Sequence, residues 1–273
     1  MVNFPNGKIN LGLNILSKRD DGFHNIETIF YPVVLNDILE IITAPPSDEA
    51  IIYSYSGLNI GGEKENNLCI KASSLLKKDF PSLPHVKLHL HKTIPMGAGL
   101  GGGSADGAFT LKMLNEKYQL NISTEQLLNY AATLGSDGPF FIINNPSYAK
   151  GRGELLEATN VNLSTYKIIL VNPGIHINTA WAFSQITPAI PVQSIKAIIA
   201  QPISTWKNEL KNDFEKPVFE KYPEIKDIKD ELYQQGALYA AMSGSGSTVF
   251  GIFETPPPVN LFPGSNYFIK IVS

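Results

Sequence analysis

The segment "PMGAGLGGGSADGA", residues 95–108, places five glycines between Gly97 and Gly103, just before a run with helical spacing. Glycine loses more conformational freedom on ordering than any other residue, so this density implies that something comes very close to the backbone. Backbone N–H groups at a helix N-terminus, aided by the helix dipole, bind anions, and the missing Cβ atoms let a phosphate approach. A tight strand-to-helix turn that binds nothing would account for one or two of these glycines, hardly for five. Two familiar phosphate loops do not fit. Gly97, Gly99 and Gly102 match G-x-G-x-x-G, but that fingerprint also needs a second parallel strand ending in an acidic residue about 20 positions on. Here another helix follows, with Glu125 in its first turn. The pattern G-x-x-x-x-G-K-[ST] nearly fits from Gly97 to Ser104, with Gly103 standing where the lysine belongs. The loop therefore brings no cation of its own. Positive charge has to come from Mg²⁺ and from lysines such as Lys8 or Lys92.

Phosphoryl transfer requires positioning, charge neutralisation and a group to accept a hydroxyl proton. Asp137, in "LGSDGPFF", is the candidate base, lying between a helix end at Gly135 and the rigid Gly138-Pro139 step. An N-cap for the following segment is an equally good account of that aspartate from the residues alone. Lys8, on the polar face of the first strand with Asn10, can neutralise charge on a moving phosphoryl group; a solvated lysine is its plain alternative. His85, His89 and His91 form a tempting cluster, and His89 and His91 share one face of a strand. No nearby cysteine or carboxylate completes a metal-ligand set, so a solvated face is the better reading and the metal ligands stay unassigned.

These residues need a frame. "KINLGLNIL" alternates Ile9, Leu11, Leu13 and Ile15 against Lys8, Asn10, Gly12 and Asn14, the pattern of a half-buried strand. "IETIFYPVVL", "DILEIITA", "VKLHLHKTI", "YKIILVNPG", "LYAAM" and "TVFGIF" read as further strands. "NNLCIKASSLLKKDF" has helical spacing, and "ADGAFTLKMLNEKY" predicts a helix burying Ala105, Ala108, Phe109 and Leu111. Ser123 with Gln126 makes a capping box, and Gly135 is expected at the C′ position of that helix. Residues 179–236 read as mostly helical, including "VQSIKAIIAQ" and "PEIKDIKDELYQQG". Ser104 and Asp106 open the loop helix; Ser104 suits a phosphate or Mg²⁺, and Asp106 reads equally well as a cap. Strands and helices mix without regular βα alternation, which excludes a doubly wound parallel sheet and favours an α+β protein of two lobes. We place the domains at residues 1–155 and 156–273, with the boundary in "NNPSYAKGRGELLEATNVNLS".

Composition narrows the partners. The chain has 273 residues, 43% hydrophobic and 17% charged, with a net charge of −3. This balance gives no reason to expect nucleic acid or an anionic membrane as partner. No run approaches membrane-spanning length. The N-terminus lacks a basic segment followed by an apolar one, so a cytoplasmic protein is expected. The single cysteine, Cys69, excludes an internal disulfide framework and is expected to pack in the interior. A monomer or weak homodimer is the expected state.

"PMGAGLGGGSADGA" resembles the second motif of the GHMP kinases, the superfamily of galactokinase, homoserine, mevalonate and phosphomevalonate kinases. "AAMSGSGSTVFGIF", residues 240–253, resembles their third motif and "GKINLGLNIL" their first. "KINLGLNILSKRDDGFHNIETIF", "LGSDGPFF", "NPGIHINTAWAF" and "LKNDFE" are similar to the branch acting on a diphosphocytidyl-methylerythritol. The resemblance covers nearly the whole chain. It implies a two-lobed fold, with a mixed sheet-plus-helix N-terminal lobe and an α/β-sandwich C-terminal lobe. It further implies ATP- and Mg²⁺-dependent phosphorylation of the 2-hydroxyl of CDP-methylerythritol, in the non-mevalonate route to isoprenoid precursors. It favours Asp137 as base and Lys8 beside it. Pro95, Met96, Gly97, Ala98, Gly99, Leu100, Gly101, Gly102, Gly103 and Ser104 then cradle the nucleotide. We assign Lys92, Asn67 and Leu68 to the nucleotide site as well. His24 would hydrogen-bond cytosine, Phe23 and Phe183 would stack on it, and Asn10 and Thr179 would meet the methylerythritol hydroxyls. For both phenylalanines, plain core is the alternative. The chain departs from the family pattern at Ala98 (a frequent glycine), Gly138 (usually valine) and Phe23 (commonly tyrosine). Its proline-rich tail also lacks the usual closing helix. Another GHMP kinase, or a non-catalytic nucleotide-binding protein, is the rival reading; "DDGFH" and "SDGPFF" speak against the first, and Lys8 with Asp137 against the second.

Overall fold

The structure, a computed structural model, describes residues 1–255 and 261–272. In chain order the strands are β1 Val2–Asn3, β2 Asn6–Lys18, β3 His24–Asn36, β4 Ile38–Thr43, β5 Ile51–Gly57, β6 Val86–Lys92, β7 Ser147–Lys150, β8 Leu155–Ala158, β9 Lys167–Asn172, β10 Tyr239–Met242, β11 Val249–Phe253 and β12 Phe268–Val272. Contacts divide the chain into two units. The first is Met1–Gly7, Leu35–Met96 and Gly101–Asn145; the second is Lys8–Val34, Gly97–Leu100 and the chain from Pro146 onward.

The first unit holds one sheet, ordered β1-β4-β6-β5, with β5 parallel to β6 and the other pairs antiparallel. The period-2 pattern of 86–92 sets its register. Val86, Leu88 and Leu90 are buried on one face, and Leu39 and Ile41 of β4 lie opposite Leu90 and Leu88. Helices α1 Leu68–Asp79, α2 Gly102–Tyr118, α3 Thr124–Leu134 and α4 Gly138–Ile143 complete the unit. Helix α2 buries Ala105, Ala108, Phe109 and Leu111, as its spacing predicts, together with Met113 and Leu114. The capping box at Ser123 and Gln126 is formed in both directions. Gly135 ends α3 at the C-cap rather than C′ position, with extended backbone (φ 164°) and no left-handed turn. Strand β5 escapes the sequence pattern because most of it is half-buried or exposed, so it carries no clean alternation.

The second unit has two sheets, β2-β3-β7-β8 and β10-β11-β9-β12. Its helices are α5 Thr179–Ser184, α6 Ile195–Ile199, α7 Ile203–Glu209, α8 Glu215–Lys221 and α9 Pro223–Gln234. One core cluster joins Leu13 and Ile15 of β2 to Val171, Phe214, Val218, Ile228 and Met242. Two expectations change. Strand β2 is not half-buried: residues 7–15 are buried on both faces, because Asn10 and Asn14 meet Thr28 and Glu27 instead of water. The segment read as a domain boundary carries the antiparallel hairpin β7–β8, paired to β3. Helix is also scarcer around "VQSIKAIIAQ", where only Ile195–Ile199 is helical. Of the proline-rich stretch, residues 256–260 lie outside the described residues; strand β12 follows it in place of a closing helix. Among the described residues no helix is long and apolar enough to cross a membrane. Cys69 is buried and unpaired by disulfide, and burial pushes its thiol pKa up.

Candidate active site

The glycine loop alternates conformations. Gly97, Gly99 and Gly101 are left-handed (φ 64°, 77° and 70°), a region that side chains rarely enter. Gly101 is the N-cap of α2. Gly102 and Gly103 are helical and serve another purpose. A Cβ on Gly102 would lie 2.9 Å from Ile94 Cγ2 and 3.0 Å from Lys92 Nζ, so this glycine permits close packing. A Cβ on Gly103 would meet only Met96 Cε, at 4.0 Å. Gly103 lines a cavity of about 360 Å³, with Tyr53, Asn67, Leu68, Met96 and Asp106 among its walls. That size suits a small-molecule site. Asn67 is the N-cap of α1, accepting from Cys69 N at 2.9 Å, while its Nδ2 donates to the Tyr53 hydroxyl at 2.9 Å. Leu68 comes close to α2 because position 107 is glycine: a Cβ there would be 3.0 Å from Leu68 Cβ.

Beneath this cavity lies an ion triad. The Lys92 ammonium is fully enclosed and pairs with Asp37, and with Asp106 Oδ2 at 2.8 Å. Asp37 Oδ1 also accepts from the Thr93 and Ile94 N–H groups, at 2.6 and 2.9 Å, and so fixes the chain where it leaves β6. Burial draws the Lys92 pKa down, but the two carboxylates outweigh it and hold it above its usual value. Burial pushes Asp106 up to about 8, against the pull of Lys92. Asp106 is therefore not a cap; it lies inside α2, and its Oδ1 is buried without a hydrogen-bond partner. Nothing in the sequence marks Asp37, a lone aspartate 55 residues before its partner.

Asp137 occupies the N-cap position of α4, yet its side chain makes no capping hydrogen bond. The capping alternative thus has no support in the geometry. The turn that holds Asp137 is tight: Gly138 N donates to Gly135 O at 3.1 Å. A Cβ on Gly138 would lie 2.4 Å from Ala131 O, so only glycine allows α4 to start this close to α3. The same turn lies near the start of α2, where a Cβ on Gly135 would be 3.8 Å from Ser104 Oγ.

In the second unit Lys8 is buried at 3% exposure. Its Nζ donates to Asn10 Oδ1 at 2.7 Å and lies over the Phe30 ring. Asn10 Nδ2 donates to Thr28 Oγ1 at 3.0 Å, which in turn donates to Gly12 O. The loop segment is anchored here: Lys8 N donates to Leu100 O at 2.9 Å, Thr248 N to Ala98 O at 3.2 Å, and Ser243 Oγ to Gly99 O at 2.8 Å. A Cβ on Gly99 would fall 2.0 Å from Ser243 O. The second and third glycine motifs therefore touch backbone to backbone. Ala98 is buried and needs no left-handed backbone, which explains why alanine is accepted there. His24 stacks on Phe183, with ring centroids 4.8 Å apart and planes inclined by 14°, and burial lowers the His24 pKa. Phe183 also meets Phe214 edge-on. Phe23 is not in that stack: it is 49% exposed, with the Arg152 guanidinium over its ring at 4.7 Å. Thr179 and Ser245 hydroxyls lie 3.1 Å apart. In the first unit, His89 and His91 bond the hydroxyls of Ser54 and Ser56 on β5, all at 2.9 Å, and His85 accepts from Ser47 N.

In the first unit a helix start with an open glycine lines a cavity, and in the second unit two glycine loops pack together; both are features of nucleotide-dependent small-molecule kinases. The model of the GHMP kinases N terminal domain matches residues 67–144, and that of the GHMP kinases C terminal matches residues 194–262. The chain belongs to the GHMP kinase family. A Bacteroides fragilis protein named 4-diphosphocytidyl-2-C-methyl-D-erythritol kinase is 54% identical over 254 residues, covering 93% of this chain and 92% of its own. A Cytophaga hutchinsonii protein of the same name is 52% identical, covering 94% of each. A crystal structure of 4-(cytidine 5'-diphospho)-2C-methyl-D-erythritol kinase superposes with a TM-score of 0.84 at 28% identity, covering 100% of this chain and 99% of that one.

Proposed function

We propose that this protein transfers the γ-phosphoryl group of ATP to the 2-hydroxyl of 4-diphosphocytidyl-2-C-methyl-D-erythritol, a step toward isoprenoid precursors. The acceptor rests on relatives of that name, alike over more than nine-tenths of the chain. The phosphoryl-transfer chemistry rests on one observation: Gly103 lines the cavity with open space where a side chain would stand. A helix N-terminus with no Cβ in the way is a fit place for phosphate oxygens.

In this reading the loop N–H groups and the start of α2 hold the phosphates. Asp137, held in its turn by Gly138, accepts the proton of the attacking hydroxyl. Lys8, fixed by Asn10, supplies positive charge toward the transferred group. Mg²⁺ would neutralise phosphate charge when bound, and the Ser104 hydroxyl at the start of α2 would serve it or a phosphate oxygen. Asn67 and Leu68 border the nucleotide, Asp106 stands in the cavity wall, and the enclosed Lys92 bears on the site through Asp106. His24 and Phe183, stacked on one another, form the cytosine site, with Phe23 apart from their stack against Arg152, while Asn10 and Thr179 meet the methylerythritol hydroxyls. We place the enzyme in the cytoplasm, as a monomer or weak homodimer.

The test is substrate dependence. ATP consumption is expected with CDP-methylerythritol and not with homoserine or mevalonate. Equal turnover with either of the latter would overturn the acceptor assignment.

A further inference from the structure

The segment Lys211–Asp213, in "LKNDFE", has no role in the reading above, yet it is bound to both halves of the second unit's machinery. Its backbone runs beside β2 as a parallel bridge. Leu13 N donates to Lys211 O at 2.8 Å and Asp213 N to Leu13 O at 2.9 Å. Asp213 Oδ2 accepts from Ile15 N at 2.7 Å. Between these contacts Asn212 turns to the third glycine motif. Its Nδ2 donates to Met242 O and to Gly244 O, both at 2.8 Å, and its Oδ1 accepts from Phe214 N at 3.0 Å. The amide is buried, and both donors and its acceptor are used.

Ser243 stands between the two carbonyls that Asn212 holds. Its hydroxyl donates to Gly99 O at 2.8 Å, and Asn10 Oδ1, the partner of Lys8, lies 3.4 Å away. The neighbouring Gly244 is left-handed (φ 57°), and a Cβ there would be 3.5 Å from both Asn10 Oδ1 and the Gly99 Cα. One side chain thus joins the strand bearing Lys8 to the loop that carries Gly99. We infer that Asn212 is a positioning residue: by holding the Met242 and Gly244 carbonyls it sets the 242–244 turn, and through it the Gly97–Leu100 phosphate loop and the Lys8–Asn10 pair. This deepens the proposed function and rests on it for the nucleotide at the loop and for the acceptor.

The test compares Asn212→Asp with Leu163→Ala in the full chain. The aspartate keeps the volume and the bond from Phe214 N but points an anion at two carbonyl oxygens. Leu163 is buried and lies outside the core cluster that holds Phe214 and Met242, so its truncation reproduces a stability loss away from the turn. ADP affinity by calorimetry is expected to fall about tenfold in Asn212→Asp, the order of one lost hydrogen bond to a charged ligand. Single-turnover transfer is expected to fall about 10²-fold, the effect of a small misplacement of reacting groups. Leu163→Ala is expected to keep both within about twofold, since sites that share no partners act independently. Asn212→Ser, with one hydroxyl donor left, is expected in between, and gives the readout if the aspartate variant does not fold. ADP affinity unchanged in the Asn212 variants would overturn the inference. ADP binding needs no acceptor, so a protein inactive on CDP-methylerythritol would refute the acceptor and leave this result standing on its own.

Discussion

Replacing Gly103 by alanine should stabilise the fold and weaken nucleotide binding in the same molecule. The position is helical, and the added Cβ meets nothing nearer than Met96 Cε at 4.0 Å. Alanine in a helix is favoured over glycine by about 0.5–1 kcal/mol, chiefly because the unfolded chain loses freedom. For a chain of this size that raises Tm by about 2 °C. The same methyl enters the cavity at the start of α2, where a backbone N–H would reach a phosphate oxygen. Losing a hydrogen bond to a charged group costs about 1.5–3 kcal/mol, or roughly 10- to 100-fold in Kd. Calorimetric titration with ADP and melting curves on the same samples read both effects. Gly99→Ala is the contrast: its φ of 77° and the Ser243 O, 2.0 Å from the new Cβ, lower stability and binding together. If Gly103→Ala bound ADP as the parent does, the open space would belong to no nucleotide and the phosphate-loop argument would fail.

Asp137→Asn keeps shape and hydrogen bonding but removes the basic site, so kcat should fall by about 10²–10⁴-fold. Near-normal single-turnover rates in this variant would dismiss the base. Asp106 predicts a pH effect on stability. Its folded pKa is raised to about 8 from an ordinary 3.8, so the folded state holds a proton that the unfolded state releases between those values. Its contribution is complete below about pH 4 and is lost as pH rises through 8. Urea midpoints should therefore decline across that window by up to about 1.4 kcal/mol per pH unit, and Asp106→Asn should flatten the decline. An identical slope in that variant would assign the titration to other groups.

What the sequence discloses depends on how local the cause is. The alternation in 86–92, the spacing of 102–118 and the Ser123–Gln126 box are each decided within a turn or a few residues, and each is found as read. The burial of β2 on both faces is not local. Lys8, Asn10, Gly12 and Asn14 look like a wet face until Thr28 and Glu27 are seen beside them. Asp106 reads as a cap because an aspartate near a helix start usually is one; its ion pair depends on Lys92, and that on Asp37. The hairpin at residues 147–158 escapes notice between asparagine-rich flanks, because very short strands leave no periodic signal. The glycine loop reads as a place for phosphate; which glycine serves packing, which a left-handed turn and which the cavity does not follow from its sequence.

The bridge between Leu13 and Asn212 also sets an order of events during synthesis. Strand β2 leaves the ribosome early, carrying Ile9, Leu11, Leu13 and Ile15, all of them buried in the finished fold. The Asp213 carboxylate that receives the Ile15 N–H lies 198 residues further on. At about 5–20 residues per second, that partner arrives roughly 10–40 s later. Throughout this interval a strand with four core residues has an unfinished edge, and unpaired edges template association between chains. The nascent chain therefore passes through a long window in which shielding by a chaperone, and the tempo of translation, govern its yield.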